Sequence, residues 1–142
     1  RVMIVPGTDG QKMSKSYNNI IDIFLSDKAL RKQIMGITTD STPVEEKKNA
    51  EQCNVYNLYK LFASNKQISN LKDKYEAGNF GYGDAKQELF EVICDKFSDE
   101  REKFNHLMEN KNIIEDELQK GAEKARVIAS EVLTRVRTNI GY

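Results

Sequence analysis

The stretch from Asp84 to Glu109 contains neither glycine nor proline. Its apolar residues Phe90, Ile93, Cys94, Phe97, Phe104 and Met108 recur at the spacing of one helix face. That pattern predicts a single long helix. The same periodicity precedes it at Val55, Leu58, Tyr59 and Phe62, and again at Ile68, Leu71 and Tyr75. It returns after Gly121, where Ala122, Ala125, Ala129, Val132, Leu133, Val136 and Ile140 trace one face of a last helix. The small residues in its first half would let a neighbouring helix approach closely.

An earlier helix is bounded by Ser26 as N-cap, with Asp27 in its first turn, and by Gly36 just past its end. Leu30 and Ile34 are its apolar positions. Ile37 to Pro43 reads as a loop, with Pro43 able to open the next helix. The glycine-rich string from Gly78 to Gly83 follows no strand, so it predicts a hairpin between helices and not a dinucleotide-binding turn.

One segment breaks the helical pattern. Val2-Met3-Ile4-Val5 is apolar and largely β-branched, and it runs directly into Pro6-Gly7-Thr8-Asp9-Gly10. This reads as a short buried strand followed by a turn or mobile loop. The chain enters that strand at once, without an initiator methionine, which suggests a piece of a larger protein. The fold class expected is therefore mainly α, preceded by a short strand and loop, with a division into residues 1–22 and 23–142.

Composition narrows the function classes. Hydrophobic residues make up 39% and charged residues 31%, the balance of a soluble globular protein. No apolar run approaches the roughly 20 residues needed to cross a bilayer, so no membrane role is expected. The 22 basic and 22 acidic residues cancel, so no global field draws the chain to nucleic acid. Locally, residues 82–118 carry eleven acids and five bases, whereas 119–142 carry five bases and two acids. A basic end of this kind would suit phosphate on one face. Cys53 and Cys94 lie far apart with no metal-ligand spacing, and read as two buried, reduced thiols. No protein metal site is expected. The lone His106 has no carboxylate, Cys or second His placed to form a site with it, so a surface or capping role is expected.

The chemistry is concentrated in Gly10-Gln11-Lys12-Met13-Ser14-Lys15-Ser16. Two lysines three residues apart alternate with serines after a glycine turn at the end of an apolar strand. Strand ends of open α/β sheets are where nucleotides sit. Ammonium groups hold phosphates as mobile point charges, and hydroxyls and loop amides add hydrogen bonds.

Lys12-Met13-Ser14-Lys15-Ser16 is identical to the second signature of class I aminoacyl-tRNA synthetases, and the chain resembles that family. Within it, the chain is similar to tryptophanyl-tRNA synthetases. The likeness runs through Gly7, Asp9 and Gly10 before the signature, Tyr17-Asn18-Asn19 after it, and Ile37-Thr38-Thr39-Asp40-Ser41. It continues through Tyr75-Glu76, Gly81-Tyr82-Gly83 and Gly121-Ala122-Glu123-Lys124-Ala125. The resemblance implies that residues 1–22 end a Rossmann-like catalytic domain and that 23–142 form an α-helical, anticodon-binding-type tRNA domain.

It also implies the carboxy-terminal portion of a cytoplasmic ligase that activates L-tryptophan with ATP and magnesium, charges tRNA(Trp), and works as a homodimer when full length. Lys12 and Lys15 would be the catalytic cations on the triphosphate. Ser14 and Ser16 would add hydroxyl or amide contacts, Met13 would approach adenine, and Val2 would offer it a main-chain contact. Spacing assigns no tRNA-contacting side chains. The companion His-x-Gly-His signature and the amino-acid pocket are not among these residues, so this portion alone is expected to be inactive. The alternatives are a tyrosyl-tRNA synthetase fragment, or a stand-alone helical module that binds tRNA or protein without catalysis.

Overall fold

Burial in the computed structural model, which describes residues 4–142, follows the helical stripes. Leu30 and Ile34, one turn apart on α1 (Asp27–Met35), are fully buried. Val55, Tyr56, Leu58 and Tyr59 are buried on the short α2 (Asn54–Tyr59), and Leu71 and Tyr75 on α3 (Asn65–Ala77). Ala85, Leu89 and Ile93 are the buried positions of α4 (Tyr82–Lys96). α4 packs against α1 and α2, and α2 also against α3. Each large aliphatic side chain buried there contributes about 1.5–3 kcal/mol relative to exposure.

Tyr75 stands at the centre of this core. Its ring meets those of Tyr56, Phe80 and Tyr82 at centroid distances of 6.2, 5.9 and 6.1 Å. Its hydroxyl lies 3.4 Å from the Cys53 sulfur, and burial pushes its phenol far above the usual tyrosine range. Of the two thiols, Cys53 is buried as expected, whereas Cys94 is only half-buried.

The helix ends are set by local chemistry. At the start of α3, Ser64 Oγ accepts from the Gln67 amide at 3.4 Å and Gln67 Oε1 accepts from the Ser64 amide at 2.8 Å. At the start of α4, the Asp84 carboxylate accepts from the Gly81 amide at 3.2 Å. The hairpin expected between them is present. Gly78 takes φ +77°, and a Cβ there would lie 2.7 Å from the Glu45 carbonyl oxygen, so only glycine fits the turn. α1 has the expected limits, but Ser26 makes no side-chain cap and Gly36 sits at φ −79°.

Four expectations are corrected. The helix expected over 84–109 is two, because Phe97 (φ −112°, ψ 23°) leaves helical geometry between α4 and α5 (Ser98–Glu109). Ser98, Asp99 and Glu100 supply the polar and acidic first turn that favours a new start there. The last helix, α6 (Lys111–Asn139), begins ten residues before Gly121 and passes through it. One glycine in a helix interior costs only about 1 kcal/mol, and strong helix formers flank it. Pro43 opens no helix. The chain from Pro43 wraps instead around buried Lys48, whose ammonium donates to the carbonyls of Pro43, Val44 and Glu46 at 2.9, 3.4 and 3.2 Å. Finally, Ile4 and Val5 are 62% and 45% exposed, not buried in a strand. Among the described residues the only β pairing is an isolated antiparallel bridge, Pro6 to Lys12. A β-branched run needs neighbouring strands to be covered, and none lies beside it among the described residues. The first half of that expected strand, with Val2, lies outside the described residues.

The chain divides into two compact units, Arg1–Arg101 and Glu102–Tyr142. The helices α1 to α4 belong to the first. In the second, Phe104 is half-buried, Met108 is 47% exposed, and every residue of α6 that was expected on an inner face is exposed. No helix among the described residues is long and apolar enough to cross a membrane.

Candidate functional site

The lysine segment is a tight loop held by its own backbone and by two asparagines. The Met13 amide donates to the Val5 carbonyl at 2.9 Å, and the Gly7 amide to the Gln11 carbonyl at 2.7 Å, which closes a small hairpin around residues 8–10. Ser14 then caps a single 3-10 turn, Lys15–Tyr17, by accepting from the Ser16 amide at 3.3 Å. Asn18 ends that turn in the left-handed region (φ 52°), and its amide donates to the Lys15 carbonyl at 3.2 Å. Asparagine tolerates this conformation better than most residues.

Asn19 follows, only 2% exposed. Its Oδ1 accepts from the Ser14 amide at 2.8 Å, and its Nδ2 donates to the Lys12 carbonyl at 3.1 Å and to Asp9 Oδ1 at 2.8 Å. The Asn19 carbonyl also accepts from the Thr8 amide at 2.9 Å. Gly7 is the residue that makes room for it, since a Cβ at Gly7 would lie 2.4 Å from the Asn19 carboxamide. Asp9 accepts from both Asn19 and the Gln11 amide, and the Asn19 hydrogen bond is the main influence lowering its pKa.

The loop is fastened to the helices from the other side. Asn54, the first residue of α2, donates through Nδ2 to the carbonyls of Gly7 and Thr8 at 3.0 and 3.3 Å. The Thr38 amide donates to the same Thr8 carbonyl at 2.8 Å. The backbone expected to be mobile from its proline and glycines is therefore extensively hydrogen-bonded.

Of the residues singled out by sequence, Lys12, Met13, Ser14, Lys15 and Ser16 all lie on this one loop, and Val2 lies outside the described residues. Lys12, Lys15 and Ser16 are exposed, whereas Met13 and Ser14 are half-buried. Among the described residues neither lysine is engaged in an ion pair. Lys12 lines an open concavity of about 570 Å³ with Asp9, Gln11 and Tyr17. Such an arrangement presents free ammonium groups on a fixed backbone, which suits a polyanion better than a neutral ligand. His106 is exposed, and its Nδ1 lies 3.4 Å from Asn110 Nδ2, as expected of a surface histidine. The residues that sequence reasoning missed are Asn19 as a buried pin, Asn54 as its counterpart on α2, and buried Lys48. The Asn18-Asn19 pair was a usable signal, because one asparagine after a tight turn suits positive φ and a second can bond the loop.

The family described as tRNA synthetases class I (W and Y) matches residues 1–98, about two thirds of the chain. The chain belongs to that family. Its relatives include a tryptophan–tRNA ligase of Fusobacterium nucleatum, 49% identical over 97% of this chain and 42% of the relative. Another, from Campylobacter jejuni, is 46% identical over 99% of this chain and 44% of the relative. The chain thus spans less than half the length of the curated relatives it matches. A crystal structure of the Campylobacter jejuni tryptophanyl-tRNA synthetase superposes with a TM-score of 0.92 at 46% identity, covering all of this chain and 46% of that one. A second structure of that enzyme, complexed with ADP and tryptophan, gives 0.91 at 45% identity, over 99% of this chain and 44% of that one. The mainly helical fold read from the sequence is the fold of that portion of the synthetase.

Proposed function

We propose that this chain is the portion of a tryptophan–tRNA ligase that supplies the phosphate loop and tRNA-binding helices. The observation that carries the reading is the intact Lys12-Met13-Ser14-Lys15-Ser16 string, with both ammonium groups exposed and unpaired on a hydrogen-bonded loop. In this reading residues 1–22 close the catalytic domain and 23–142 carry tRNA-binding helices. The names of the relatives favour tryptophan over tyrosine as the amino acid.

Amino-acid activation places the carboxylate of tryptophan on the α-phosphorus of ATP and expels pyrophosphate. Negative charge grows on the departing group, so a cation fixed near it lowers the barrier more than it strengthens ATP binding. Lys15 fills that role, with Lys12 sharing the triphosphate and the Ser14–Ser16 turn presenting hydroxyls and amides. Met13 and Val2 would border adenine. Among the described residues no group of three His, Cys, Asp or Glu side chains could hold a metal ion, and Asp9, the carboxylate beside the loop, is committed to Asn19 and Gln11. Magnesium would accompany ATP, where it would neutralise phosphate charge. The companion partners are tRNA(Trp) and a second copy of the full-length protein, in a cytoplasmic enzyme.

Pyrophosphate exchange with the purified full-length protein tests the reading. Exchange should depend on tryptophan and not on tyrosine, and these 142 residues alone should show none. Tyrosine-dependent exchange, or none with either amino acid, would overturn it.

A further inference from the structure

We infer that Asn19 is a positioning residue for the activation step, a side chain that sets where Lys12 and Lys15 stand relative to each other. The inference rests on the phosphate-loop reading above and adds a residue to it. Its carboxamide spans Met13, taking the Ser14 amide on one side and giving to the Lys12 carbonyl on the other. Those two bonds fix the backbone on which Lys12 sits and the N-cap residue of the turn that carries Lys15. A third bond, to Asp9, orients the amide so that its donor and acceptor cannot exchange places without loss. The side chain is buried, and its three hydrogen bonds among the described residues all go to loop atoms, so they act on the shape of the loop.

Asn19→Asp tests this at constant volume. The Ser14 bond survives, but a carboxylate oxygen now faces the Lys12 carbonyl and the Asp9 carboxylate, acceptor against acceptor. In single-turnover adenylate formation by the full-length protein, the rate constant should fall roughly tenfold to a hundredfold, the scale of a small misplacement of reacting groups. The Michaelis constant for tryptophan should stay as in the parent. The variant's rate should rise at acid pH relative to the parent, because the introduced carboxyl, once protonated, can again donate.

A parental rate constant in folded Asn19→Asp would overturn the inference. If Asn19→Asp does not fold, Asn19→Ala read in the same assay decides. A parent protein without tryptophan-dependent activity would sink the ligase reading instead. Amide exchange over residues 12–16 would then settle the role of Asn19, faster exchange in the variants supporting it and unchanged exchange refuting it.

Discussion

The core around Tyr75 and the loop around Asn19 are both buried centres of the same unit, yet they are held by opposite means. Tyr75 meets three aromatic rings within a core that draws aliphatic side chains from four helices, and its hydroxyl meets a sulfur. Asn19 is surrounded by backbone amides, carbonyls and a carboxylate. Apolar burial is non-directional and tolerates small shifts, whereas each bond to Asn19 fixes a distance and an angle. The core thus supplies stability, and the loop supplies geometry. Substitutions in the two regions should separate accordingly, in stability and in rate.

The largest effect on stability is expected in the core. Tyr75→Ala removes a buried ring and should cost about 3–5 kcal/mol in urea unfolding. A loss under about 1 kcal/mol would mean that the core can collapse around the gap, and the contrast would be broken.

Gly7→Ala probes the loop without touching its lysines. The added Cβ would fall 2.4 Å from the Asn19 carboxamide and 2.6 Å from its carbonyl oxygen, so the asparagine must leave its place. The expected loss of stability is about 1–3 kcal/mol, typical of overpacking. Amide protection should disappear at Ser14 while that of α4 is kept. Protection lost equally in both would show that loop and core unfold as one, and would sharpen the comparison into a single cooperative unit.

The sequence exposed these two regions unequally. The stripes Leu30–Ile34, Val55–Tyr59 and Leu71–Tyr75 were legible because burial selects apolar residues at helical spacing, and the structure buries those positions. The break at Phe97 was not legible, since no glycine or proline marks it and the change is a matter of one residue's dihedral angles. α6 misled in the other direction, because Gly121 looked like a boundary and the flanking residues carried the helix through it. In the loop, the lysines were legible as a signature, but their support was not. Asn19 bonds to loop atoms five to ten residues away and Asn54 to backbone carbonyls 46 and 47 residues away, and no periodicity records such contacts. Lys48 was hidden because a charge met by three nearby backbone carbonyls leaves no pattern in the residue types.

In the proposed reading the loop lysines act on the transition state and contribute nothing comparable to the fold. The most direct test is Lys15→Ala in the full-length protein, with unfolding and pre-steady-state adenylate formation measured on the same preparation. Stability should match the parent, because Lys15 is exposed and unpaired among the described residues. The rate constant for adenylate formation should fall roughly a hundredfold, the effect of losing about 3 kcal/mol of preorganised charge, with ATP binding changed far less. An unchanged rate constant with weakened ATP binding would contradict the account and make Lys15 a ground-state anchor.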